Sequence, residues 1–105
     1  MLMSEGPRAR GRLPRLEDLH GPLHGVVALP VHLTWAGDRE FDVSEAEPRL
    51  VLYSIVLSQG RRNDMARLVN PRRLREDWPR LRGMVSGRTR RAAERMLGIR
   101  GARGM

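Results

Sequence analysis

The run Leu50, Val51, Leu52, Tyr53, Ile55, Val56 and Leu57 constrains this chain more than any other segment, because as a helix it is apolar on nearly every side. A helix without a polar face has to be enclosed by its neighbours, so this one is expected at the centre of a core. Its start is expected at Ser44. Ser44 and Glu47 have the capping-box spacing, in which hydroxyl and carboxylate each satisfy a free backbone amide. Pro48 is tolerated in the first turn, and Gly60 supplies the stop.

Other elements have to enclose that helix. Upstream, Val31, Leu33 and Trp35 alternate with His32 and Thr34, turn chemistry follows at Ala36-Gly37-Asp38, and Glu40, Phe41, Asp42 and Val43 resume a period of two. The pattern predicts a β-hairpin. Val26 to Leu29 offers a further short strand, which Pro30 keeps from running on. Downstream, Asn63 is expected to cap a helix from Asp64 to Val69, and Asn70 a helix opening on Pro71 that Pro79 ends or kinks after Trp78. Leu68, Leu74, Trp78 and Leu81 are spaced to face inward, with Arg72–Glu76 and Arg73–Asp77 as solvated pairs. Ser86 caps a last helix to about Leu97, with Thr89, Ala93, Met96 and Leu97 on one stripe and Arg88, Arg91 and Arg95 on the other, and Gly98 stops it. The fold expected is α+β: a short β-hairpin followed by about four helices, one small domain over residues 23–98. Residues 1–22, rich in Gly and Pro with four arginines, are expected as a flexible basic arm, and residues 99–105 as a frayed tail. Met1 and Met3 both offer a start.

Composition narrows the chemistry. The chain has no cysteine, which removes disulfides, thiolate metal sites and sulfur redox chemistry and suits a reducing cytoplasm. No run approaches the roughly 18 apolar residues of a membrane helix, and the N-terminus lacks a secretory apolar block. Trp35, Phe41, Tyr53 and Trp78 are the four aromatic residues and are expected as structural anchors, too few for a base-stacking surface.

Charge is where the chain departs from an ordinary small domain. All 20 basic residues are arginines, and 14 of them fall between Arg61 and Met105 against only Asp64, Glu76, Asp77 and Glu94. GC-rich codon usage accounts for the absence of lysine but not for the clustering. A dense positive surface attracts phosphates or acidic proteins, and the planar arginine fork binds either with two hydrogen bonds. Arg61, Arg62, Arg67, Arg72, Arg73, Arg75, Arg88, Arg91 and Arg95 are therefore the candidate partner- or phosphate-binding residues. The plain alternative is a solvated helical surface that happens to be arginine-rich.

Catalytic signatures are absent. His20 and His24 have helical ligand spacing, but Gly21 and Pro22 between them oppose a helix, and loop or strand-face histidines are the simpler reading for them and His32. Asp38, Glu40, Asp42, Glu45 and Glu47 lack the spacing of a calcium loop and read as an acidic rim. No phosphate-cradling glycine loop, nucleophile elbow or serine-histidine pair occurs. The expectation is a protein without catalytic residues, metal or cofactor. Leu52 to Val69, two apolar segments about Gly60, loosely matches a helix-turn-helix.

His32-Leu33-Thr34-Trp35, Gly37, Arg39-Glu40-Phe41-Asp42-Val43, then Tyr53, Val56-Leu57, Gly60, Asp64 and Trp78-Pro79-Arg80-Leu81 carry a resemblance to a family of small uncharacterised actinobacterial proteins, over about residues 29 to 97. The chain departs from that pattern at Met84-Val85 and Ala92-Ala93, where the family has an aromatic helix after a Leu-Pro step. Some members look to be encoded beside nucleotidyltransferase-like toxins. The resemblance implies an antitoxin or accessory role and transfers no catalytic residue. Two functions follow as expectations: a non-enzymatic cytoplasmic module binding an acidic protein surface, or a nucleic-acid-binding regulator with a degenerate helix-turn-helix. Neither involves a membrane.

Overall fold

The computed structural model describes residues 13–36 and 40–99, except for the side chains of residues 35 and 36. Two short strands, β1 (Val26–Ala28) and β2 (Glu40–Asp42), pair antiparallel with Val27 opposite Phe41, and four helices follow: α1 (Ala46–Gln59), α2 (Arg62–Leu68), α3 (Pro71–Leu81) and α4 (Gly87–Leu97). The chain is thus one compact α+β unit. The apolar run became α1, which packs against α2, α3, β2 and the segment 31–36. Leu50, Leu52, Tyr53, Val56 and Leu57 are enclosed, each contributing about 1.5–3 kcal/mol from burial before conformational entropy is charged.

The strand paired with β2 is not the one the alternation suggests. Residues Val31–Ala36 form 3-10 turns, in which the Leu33 amide donates to the Pro30 carbonyl (2.8 Å) and the Thr34 hydroxyl to the Val31 carbonyl (2.8 Å). Local bonds claim the groups a ladder would use, so β1 lies upstream of Pro30. Gly37 and Asp38 of the expected turn and the side chain of Trp35 lie outside the described residues.

The start of α1 also differs. Its N-cap is Glu45, with no side-chain capping bond. The Ser44 hydroxyl instead accepts from the Gly25 amide (2.8 Å), because strand pairing brings Gly25 across from Val43, whose amide donates to the Gly25 carbonyl (2.8 Å). Asn63 likewise lies inside α2, and the first turn there is capped by Asp64, whose carboxylate accepts from the Arg61 amide (2.8 Å). The two later caps form as the sequence suggests: Asn70 Oδ1 accepts from the Arg72 and Arg73 amides (2.9 and 3.1 Å), and Ser86 Oγ from the Thr89 amide (3.2 Å). Pro79 does not end α3, which runs on to Leu81. The carbonyl that loses its donor belongs to Arg75, and both residues are exposed, so water can satisfy it. Gly98 closes α4 in the left-handed region, φ 76°.

An arm extending to residue 22 is not what forms. Leu16–Asp18 makes a 3-10 turn, Leu19 is buried, and the amides of His20 and Gly21 donate to the Ala66 and Val69 carbonyls, both at 2.9 Å. Gly21 is required there: a Cβ would stand 2.3 Å from the Leu68 carbonyl carbon. Leu13, Leu16 and Leu19, an apolar residue at every third position within a Gly/Pro-rich stretch, supply the contact with the core. Residues 1–12 of that arm lie outside the described residues, as does all of the tail beyond Ile99, whose own amide donates to the Glu94 carbonyl (2.8 Å). No described helix is long and apolar enough to cross a membrane.

Candidate functional site

The arginines sort by what holds them. Arg49 is buried in α1, where Nε and Nη2 donate to the two Asp77 oxygens (2.7 and 2.8 Å) and Nη1 to the Val43 carbonyl (2.9 Å). Its hydrogen bonds with Asp77 raise its pKa and outweigh the effect of burial, so Arg49 keeps its charge. Asp77 therefore does not form the outward pair with Arg73; Arg73 instead bonds Glu76 (3.1 Å) and the Leu23 carbonyl (3.2 Å). Arg72 has no carboxylate within salt-bridge distance among the described residues.

Every acid of the basic half is withdrawn or engaged. Asp64 is buried, with His32 Nε2 at 2.8 Å and Arg67 at 3.7 Å. Burial pushes its carboxyl up, but the Arg61 amide, His32 and Arg67 together hold it below the usual range. Glu94 is buried in α4, where its Oε2 accepts from the Trp78 indole (3.0 Å) and from Arg82 Nε (3.1 Å). Here too burial acts upward, and the Trp78 and Arg82 bonds with the nearby Arg90 prevail and lower it. Asp77 is inside and Glu76 is on Arg73.

The result is a cationic outer surface. Among the described residues, exposed Arg61, Arg72, Arg75, Arg88, Arg91 and Arg95 have no carboxylate within salt-bridge distance. These are six of the nine candidates; Arg67 and Arg73 are paired, and Arg62, though exposed, has other contacts. Arg88, Arg91 and Arg95 follow one another on the outside of α4, while Thr89, Ala93 and Leu97 are buried inside it. Beside this helix the ordered 13–18 segment forms a ridge with a groove on each side. One, of about 380 Å³, is lined by Leu13, Leu16, Met96 and Arg95; the other, of about 330 Å³, by Pro14, Asp18, Arg62 and Ala66.

Three of the expected anchors are structural. Phe41, Tyr53 and Trp78 are buried, and the Tyr53 hydroxyl accepts from the Asn70 amide (3.1 Å). Burial pushes the Tyr53 hydroxyl pKa up against that bond. The helix pair about Gly60 exists, but α2 has only seven residues and turns Asp64, Met65 and Leu68 inward; the longer helices that carry exposed arginines are α3 and α4. No three described His, Cys, Asp or Glu residues are placed to hold a metal ion. Sequence reasoning missed the inward acids. Asp77 lies three residues after Leu74, and Glu94 one after Ala93, so both sit beside the apolar stripe, and that position was the available signal. Comparison with protein-family models, curated proteins and solved structures finds no match to this chain.

Proposed function

We propose that this protein binds nucleic acid through the phosphate backbone, without catalysis, using Arg61, Arg72, Arg75, Arg88, Arg91 and Arg95. The observation that carries this is the withdrawal of acids: Asp64, Asp77 and Glu94 are buried and Glu76 is held by Arg73, while those six guanidinium groups are exposed with no carboxylate within salt-bridge distance among the described residues. Bare arginines repel one another, and a polyanion relieves that repulsion while releasing its own counterions. An acidic protein surface, such as a toxin bound by an antitoxin, fits less well. Protein interfaces enrich arginine too, but they centre it on apolar and aromatic neighbours. Among the described residues, the exposed large apolar ones, Val26, Val31, Val51, Met84 and Ile99, all lie outside α3 and α4.

Fluorescence anisotropy with labelled mixed-sequence oligonucleotides, single-stranded and duplex, tests this across a salt series. Six phosphate contacts predict affinity falling with salt on a log–log slope of about −5. Substituting Arg88, Arg91 and Arg95 together with Gln should bring the slope to about half while circular dichroism stays unchanged. Failure to bind either oligonucleotide at low salt overturns the proposal and returns an acidic protein partner to first place.

A further inference from the structure

We infer, resting on that reading, that the favoured ligand is a DNA duplex, with the outer face of α4 laid against its major groove. Three observations carry it. The chain has four aromatic residues, and Phe41, Tyr53 and Trp78 are buried, so at most one ring is left to meet a base. Binding of a single strand draws on successive bases stacked on exposed rings, and this protein has no row of them. A duplex instead offers charge, at one phosphate per about 1.7 Å of axis against about 3.4 Å for one strand.

The second observation is the shape of the cationic row. Arg88, Arg91 and Arg95 project from one regular helix that Ser86 caps at one end and Gly98 at the other. Seven residues of helix rise about 10 Å. That length compares with the roughly 12 Å width of the B-form major groove, which admits a helix. Arginines at the two ends of the row are therefore placed to reach phosphates on opposite strands, with Arg91 between them.

The third is rigidity. The inner side of α4 is fixed to α3 and to the turn after it by the Glu94 bonds to Trp78 and Arg82, at 3.0 and 3.1 Å. The row is thus presented by a braced helix, which suits a ligand with fixed phosphate positions better than a flexible strand. The A-form major groove is too narrow and deep for side chains to read, so an RNA duplex does not offer the same seat.

The test uses the full chain and three labelled probes of one sequence: the DNA duplex, one of its single strands and the matching RNA duplex, compared by anisotropy at one low salt concentration. DNA duplex bound about tenfold more tightly than the other two supports the inference. Arg88→Gln and Arg95→Gln, separately, should each narrow that preference. Single strand or RNA duplex bound as tightly as the DNA duplex overturns the inference while leaving phosphate binding standing, and absence of binding to all three overturns both.

Discussion

The interior between α1 and α3 and the outside of α4 employ arginine in opposite ways. Arg49 is enclosed, and three of its nitrogens donate to Asp77 or to the Val43 carbonyl. Arg88, Arg91 and Arg95 are exposed and have no carboxylate partner among the described residues. A guanidinium taken out of water is tolerable only with its hydrogen bonds made, whereas one left in water needs nothing from the fold. Arginine content therefore says little about what an arginine does, and the position of the nearest acid says a great deal. In the basic half of this chain three of the four acids went to the interior, and the exterior of that half was left basic as a consequence.

The sharpest way to break that contrast is to strand the inner charge. Asp77→Ala leaves Arg49 buried without its partner and should lower stability by about 3–5 kcal/mol in urea unfolding. Replacing both, Arg49→Met with Asp77→Leu, should recover most of that loss, because neither charge then needs desolvating. A single substitution that leaves the unfolding midpoint unchanged would show that Arg49 escapes to water, and the contrast would collapse.

A second test asks whether the ridge beside the outer face belongs to the folded body. Gly21→Ala drives a methyl group into the Leu68 backbone and should lower stability by about 1–3 kcal/mol. No loss of stability would mean that residues 13–22 pack only loosely. Acid titration probes the withdrawn carboxylates. The folded pKa values of Asp64 and Glu94 are held below their unfolded values, so the stability they contribute is present above the usual carboxylate range and drains away as pH falls through their folded values. Glu94→Gln should flatten that acid limb in a pH series of thermal melts, and an unaltered limb would assign it elsewhere.

How much of this was legible follows from range along the chain. The apolar run of α1, the Asn70 and Ser86 caps and the Gly98 stop are local signals, each read within a single helix, and each formed. Ser44 was misjudged because its hydroxyl is claimed by Gly25, 19 residues away, through a strand pairing that only the folded chain creates. Residues 31–36 alternate like a strand, but alternation cannot tell a half-buried strand from 3-10 turns stitched by Pro30 and Thr34. The arginine rows of the candidate face were visible in sequence. Their lack of partners was not, since it depends on Asp77 choosing Arg49, 28 positions back, over Arg73.

The smallest effect on stability is expected outside, and its sign is informative. Arg88 stands in the first turn of α4, where the helix dipole disfavours a cation and where no acidic residue accompanies it. It also lies three positions before Arg91, a like-charge spacing that costs a few tenths of a kcal/mol. Arg88→Gln should therefore raise stability by up to about 1 kcal/mol, while reducing the salt slope of DNA binding by about one unit. A residue that weakens its own helix has to be justified by something other than folding. If the substitution stabilises the protein and leaves binding untouched, Arg88 is only part of a solvated face, and the outer row shrinks to Arg91 and Arg95; if both quantities move as expected, the outer surface is held against the preference of the fold that carries it.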